Sequence, residues 1–99
     1  MTLAAENSQI LNLVRALLGS VSDNFRAVSL STTDDAVKLQ FILCADDEED
    51  REEIEDIVFE FEALQDHGID VEVEIRIEAS PIAELKFLDR IVFLRKEAT

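Results

Sequence analysis

Between positions 46 and 62 this chain holds eleven acids and one base, Arg51. The same run carries Ile54, Ile57, Val58, Phe61 and Leu64, at intervals of 3, 1, 3 and 3. That spacing is the apolar stripe of a helix, so the stretch predicts an amphipathic helix with a very acidic outer side. Such a helix can be covered on one side only, and the rest of the chain must supply a layer for its stripe. Asp46 or Asp47 can cap it, and the acids that follow favour the positive helix N-terminus. The helix is expected to run to about residue 65 or 66, with Gly68 as its stop.

The remaining segments supply that layer. Ile10, Leu13, Val14 and Leu17 predict a first helix that starts near Thr2 or Ser8 and ends at Leu18, with Gly19 as a left-handed cap. Residues 25–31 and 37–44 alternate and are separated by the turn cluster Thr33-Asp34-Asp35-Ala36, which predicts an antiparallel hairpin. Arg26, Val28 and Leu30 share one face of the first strand; Val37, Leu39, Phe41 and Leu43 share one face of the second. Residues 69–79 form the clearest strand. Ile69, Val71, Val73, Ile75 and Ile77 alternate with Asp70, Glu72, Glu74, Arg76 and Glu78. Pro81 breaks that pattern, and residues 82–89 leave room for a helical turn. Residues 90–95 are apolar on both sides, as in a central strand or a strand with one covered face. The expectation is one α+β domain spanning residues 1–99. It is a two-layer sandwich in the order α-β-β-α-β-β, with two helices on one face of a mainly antiparallel four-stranded sheet.

Composition narrows the function. The chain has 99 residues and a formal charge of −14, from 23 acids and 9 bases. Such a field repels nucleic acid and anionic membranes and speeds encounter with a basic protein partner. Cys44 stands alone, so no internal disulfide forms, in keeping with a reducing cytoplasm. No run of about 20 apolar residues marks a membrane span, and no basic segment followed by an apolar run marks a signal peptide. Asp46, Asp47, Glu48 and Asp50 offer oxygen donors but lack the glycine and terminal glutamate of a calcium loop. His67 beside Gly68 reads as a surface residue at a helix end, and none of the serines sits in a nucleophile motif. No catalytic residue, metal site or cofactor is expected, and the chain reads as non-enzymatic.

Binding residues stand out more clearly. On the acidic helix, Glu49, Glu52, Asp56 and Glu60 spread over the side away from the stripe. Phe59 points roughly 170° from the stripe's centre. An aromatic ringed by charge has the form of an interface anchor; the alternative is that Phe59 packs under a terminus or the 79–88 loop, or is a lone exposed apolar residue. Glu72 and Glu74, with Asp70 and Glu78, make a second acidic surface. Solubility alone accounts equally well for those acids.

Three segments carry a resemblance: Leu17-Leu18-Gly19-Ser20-Val21, Asn24-Phe25-Arg26-Ala27-Val28-Ser29 and Phe93-Leu94-Arg95-Lys96-Glu97. Together they resemble a family of small acidic bacterial immunity proteins from contact-dependent growth inhibition and related polymorphic toxin systems. The chain departs from that pattern at Ile91-Val92-Phe93, where a tryptophan-valine-tyrosine run is expected. It departs again at Leu43-Cys44-Ala45, where an aromatic precedes Asp-Gly. The resemblance implies an immunity protein that binds and occludes a cognate toxin domain, with a nuclease of basic cleft as the expected target. The alternative is a self-associating structural domain. For that reading the apolar strand Ile91-Val92-Phe93-Leu94 would form a homodimer.

Overall fold

The computed structural model describes residues 1–66 and 68–97. His67 lies outside the described residues. The chain runs α1 (Leu3–Leu17), β1 (Phe25–Thr32), β2 (Ala36–Leu43), α2 (Glu48–Ala63), β3 (Asp70–Ile77), a 3-10 turn (Ile82–Glu84) and β4 (Arg90–Leu94). The short turn between β3 and β4 lies within residues 82–89, where the sequence left room for one. Thr2 caps α1, its side chain accepting from the Ala5 amide. Gly19, at φ 77°, takes the left-handed conformation that ends the helix. Asp47 caps α2 by accepting from the Asp50 amide. The helix stops at Ala63, before Gly68, with the Leu64 amide bonded back to Glu60.

The sheet order is β3-β2-β1-β4. β1 pairs antiparallel with both β2 and β4. β2 and β3 pair in parallel, with Ala36 opposite Asp70 and Leu43 opposite Ile77. The sheet is therefore mixed, and the expectation of a mainly antiparallel one is corrected. The reason is the connection. α2 carries the chain from the end of β2 back to the level of its start, so the next strand must run the same way. Alternation misled because buried parallel strands read as continuous apolar runs. β3 is an edge strand with one wet face, so it alternates as an antiparallel strand would.

Both helices cover one face. Leu13, Ala16 and Leu17 of α1 and Ile54, Ile57 and Phe61 of α2 share a buried cluster with Val28, Leu30, Leu39 and Phe41. Phe25 meets Phe41 edge to face, ring centroids 6.3 Å apart. Phe25 reaches this cluster because a register shift separates Phe25 from Ala27. That bulge also takes Arg26 off the face it was expected to share with Val28 and Leu30. Arg26 is instead held on the opposite face, by Glu97 and the Glu78 carbonyl. β1 and β2, not β4, are the central strands, and the residues of β1 from Phe25 to Leu30 are all buried. Its second face is covered by the β3–β4 connection, which crosses the back of the sheet from one edge to the other. There the Leu88 amide donates to the Ser29 hydroxyl at 3.1 Å.

Arg26 fastens the C-terminal segment to this back face. Its Nε and Nη2 donate to the two Glu97 carboxylate oxygens at 2.9 and 2.7 Å, and Nη1 donates to the Glu78 carbonyl at 2.7 Å. The bond from Arg26, helped by Arg95, holds the Glu97 carboxyl below its ordinary value. A carboxyl whose pKa folding lowers stabilises the protein above its unfolded pKa. That contribution disappears as pH falls through the folded value. In urea unfolding at about pH 7 and about pH 3, Glu97→Gln is expected to be destabilised at the higher pH and to lose less on acidification than the parent. Parallel losses in the two proteins would count against this clasp.

Candidate protein-binding site

The caps and the inward stripe of α2 decide which of its side chains face water. Ile54, Ile57 and Phe61 are buried, as is Asp50, one turn earlier on the same side. Glu49, Glu52, Asp56, Phe59 and Glu60 are exposed. All five sequence-predicted residues of this helix therefore lie on its open side. Phe59 has 77% of its surface exposed. It sits among like charges, with Glu52 and Asp56 on the preceding turns.

This surface is electrostatically costly for the free protein. Glu48–Glu52, Glu49–Glu53, Glu52–Asp56 and Asp56–Glu60 are spaced four apart on one helix. Each such like-charge pair destabilises an exposed helix by about 0.2–0.5 kcal/mol. Arg51, the only base of the helix, is engaged by Asp46 at 2.5 Å. Bonding to Arg51 in turn holds the Asp46 carboxyl below its usual value.

The second predicted surface is different. Asp70 and Glu72 are exposed, whereas Glu74 is half-buried. Glu74 accepts from Gln40 Nε2 at 3.0 Å and meets Lys38 Nζ at 3.2 Å. These bonds, the one from Gln40 foremost, lower its pKa. Glu78 is likewise held by Arg76 at 2.7 Å. Two of the four outward acids of β3 are thus paired inside the chain. The register places Glu72 and Glu74 opposite Lys38 and Gln40, on the face of the sheet away from the helices. The structure does not bring Glu72 and Glu74 together with the outer face of α2.

What it brings together instead is the start of α2 and the turn after α1. Gly19, Ser20, Val21 and Ser22 line an open groove with Glu49, Glu52, Glu53 and Asp56. At its base the Asp50 carboxylate accepts from Ser22 Oγ and Asn24 Nδ2, both at 2.8 Å. Asn24 also ties to Ala45, its Nδ2 donating to the carbonyl at 2.7 Å and its Oδ1 accepting from the amide at 2.9 Å. Sequence reasoning missed this clamp. Its signal was present: Asp50 falls on the stripe that continues through Ile54, Ile57 and Phe61, and an acid on an apolar stripe needs a partner. The oxygen-rich start of the helix is likewise occupied by the chain itself. Asp46 holds Arg51, Asp47 caps, and Asp50 clamps.

The charge is also sorted along the sheet. Residues 34–78, which hold β2, α2 and β3, carry 18 acids and 3 bases, a formal −15. Residues 1–33 and 79–99 carry 5 acids and 6 bases, a formal +1. The sheet order puts β3 and β4 at opposite edges, so one side of the molecule is acidic and the other nearly neutral.

A family model described as MafI2 immunity protein matches residues 6–97. The chain belongs to the MafI2 immunity protein family. The match runs from α1 to the Glu97 clasp and spans both places where the sequence departs from the expected pattern. Curated proteins yield no match. Membership in the MafI2 family agrees with the resemblance to bacterial immunity proteins. Among the described residues, no helix is long and apolar enough to cross a membrane.

Proposed function

We propose that this chain binds the toxic domain of a cognate effector through the outer face of α2 and blocks it by occlusion, without catalysis of its own. The observation that carries this reading is the exposed Phe59 amid Glu49, Glu52, Asp56 and Glu60, on the half of the molecule that holds a formal −15. An aromatic anchor supplies the desolvated centre of an interface, and the acids around it supply its charged rim. The target that fits is a basic one, and a nuclease cleft has that character because it must hold phosphates. The setting is a toxin delivered between cells, as in contact-dependent growth inhibition, with neutralisation in the cytoplasm of the recipient. Glu72 is exposed on the other face of the sheet and lies apart from this contact, and Glu74 is taken up by Lys38 and Gln40.

The toxin encoded beside this gene provides the test. Co-expression is expected to protect cells, and the two proteins are expected to co-purify. The association rate should fall steeply with salt, while the dissociation rate changes much less. Failure to protect or to co-purify sinks the reading. An association rate indifferent to salt would remove the basic cleft from it.

A further inference from the structure

The side of the molecule away from α2 carries a second surface of opposite character. β4 has a strand partner on one side only. Ile91 and Leu94 pair with Ser29 and Ala27 and are exposed. Leu11 and Val14 of α1, and Leu18 just after it, are exposed as well, Leu18 at 74%. On the helix side of the sheet Val14 and Leu18 line an apolar cleft with Val92 and Phe93, whereas Ile91 and Leu94 share the opposite face with Ser29 and Ala27. Apolar side chains therefore flank the β4 edge on both faces of the sheet, with the outer side of α1 beside one of them.

Natural edge strands are guarded by charge. The β3 edge is guarded by Asp70 and Glu72. The β4 edge is not: its end residues Arg90 and Arg95 are turned to internal partners. Arg90 bridges to Glu6, and Arg95 bridges to Glu97 and donates to the Asp23 carbonyl. The centre of the strand offers only Ile91, Val92, Phe93 and Leu94.

We infer that this α1–β4 surface is the contact between two copies of the chain, related by a twofold axis. The charge distribution chooses the occupant. Two copies that meet here join halves of formal +1 and hold their −15 halves at the far ends. Self-association through the half of formal −15 would set like charges against each other, a cost that this contact avoids. A twofold contact is also self-complementary: α1 packs beside its copy while Ile91 and Leu94 meet theirs. The register shift at Val28/Ser29 leaves Val92 without a ladder partner, so side-chain packing leads and no long continuous ladder forms. Such a dimer leaves both α2 faces open, each for one toxin domain.

Sedimentation equilibrium at concentrations on the order of 100 µM, enough to populate a micromolar dimer, is the experiment. The expected mass is near twice the 11.2 kDa of one chain. Leu94→Lys and Leu18→Lys, both at exposed positions, are each expected to return it to a monomer with an unchanged circular dichroism spectrum. Phe59→Ala is expected to stay dimeric. A monomeric parent protein overturns the inference, and so does a dimer untouched by both lysine variants. A monomeric parent whose toxin binding is lost in Leu94→Lys would assign the surface to the toxin instead.

Discussion

Phe59→Ala is expected to leave the free protein as stable as before, within about 0.5 kcal/mol, while weakening the toxin complex by about 2 kcal/mol or more. That energy is on the order of thirtyfold in Kd. The asymmetry follows from placement. With 77% of its surface in water, the ring has little burial to lose on truncation in the free state. In a complex it would be the largest apolar group on an otherwise charged face. Titration calorimetry against the toxin domain, beside urea unfolding of the free protein, reads both numbers. An unfolded variant would show that α2 faces the other way; an unchanged affinity would move the interface elsewhere.

Phe61→Ala, two residues further along the same helix, is expected to do the reverse. Phe61 is fully buried in the cluster shared by both helices and the sheet. Removing such a ring costs about 3–5 kcal/mol through lost transfer energy and the cavity left behind. A domain of this size has roughly 5–15 kcal/mol in total. The urea midpoint should therefore drop sharply. Whatever fraction remains folded should still bind toxin with nearly parental affinity, because the outer face of α2 is unaltered. The pair is a test of facing: one residue type, one helix, two positions apart, opposite consequences.

The contrast was legible in the sequence because helical periodicity sorts side chains by angle, and the stripe from Ile54 to Leu64 left Phe59 outside it. The same regularity predicted α1, the β1–β2 hairpin and the extent of β3 and β4. Strand direction was not legible. Asp70 to Glu78 alternate identically whether β2 runs beside them in parallel or antiparallel, and only the path of α2 decides. The facing of Arg26 was lost to a one-residue bulge, a local event that leaves no periodic trace. The Ser22–Asn24–Asp50 clamp joins residues some 26 to 28 positions apart, beyond the reach of any local pattern. The acidity of β3 was legible, but its partial neutralisation by Lys38 and Arg76 was not. Neutralisation depends on cross-strand register, and register came only with the fold.

The anchoring of α2 has a consequence for how such a protein can diversify. Its N-terminus is fixed by the Asp47 cap and the Asp50 clamp, and its length by Ile54, Ile57 and Phe61. Apart from Asp47, all of these positions are buried. Glu49, Glu52, Asp56, Phe59 and Glu60 can therefore be exchanged with little effect on folding, since exposed helix positions tolerate substitution to within about half a kcal/mol. An inhibitor that must follow a changing toxin needs such a separation between the residues that hold the scaffold and those that meet the target. With the proposed contact on α2 the two sets interleave along one helix, so a new specificity would be written in single substitutions without passing through an unfolded ancestor.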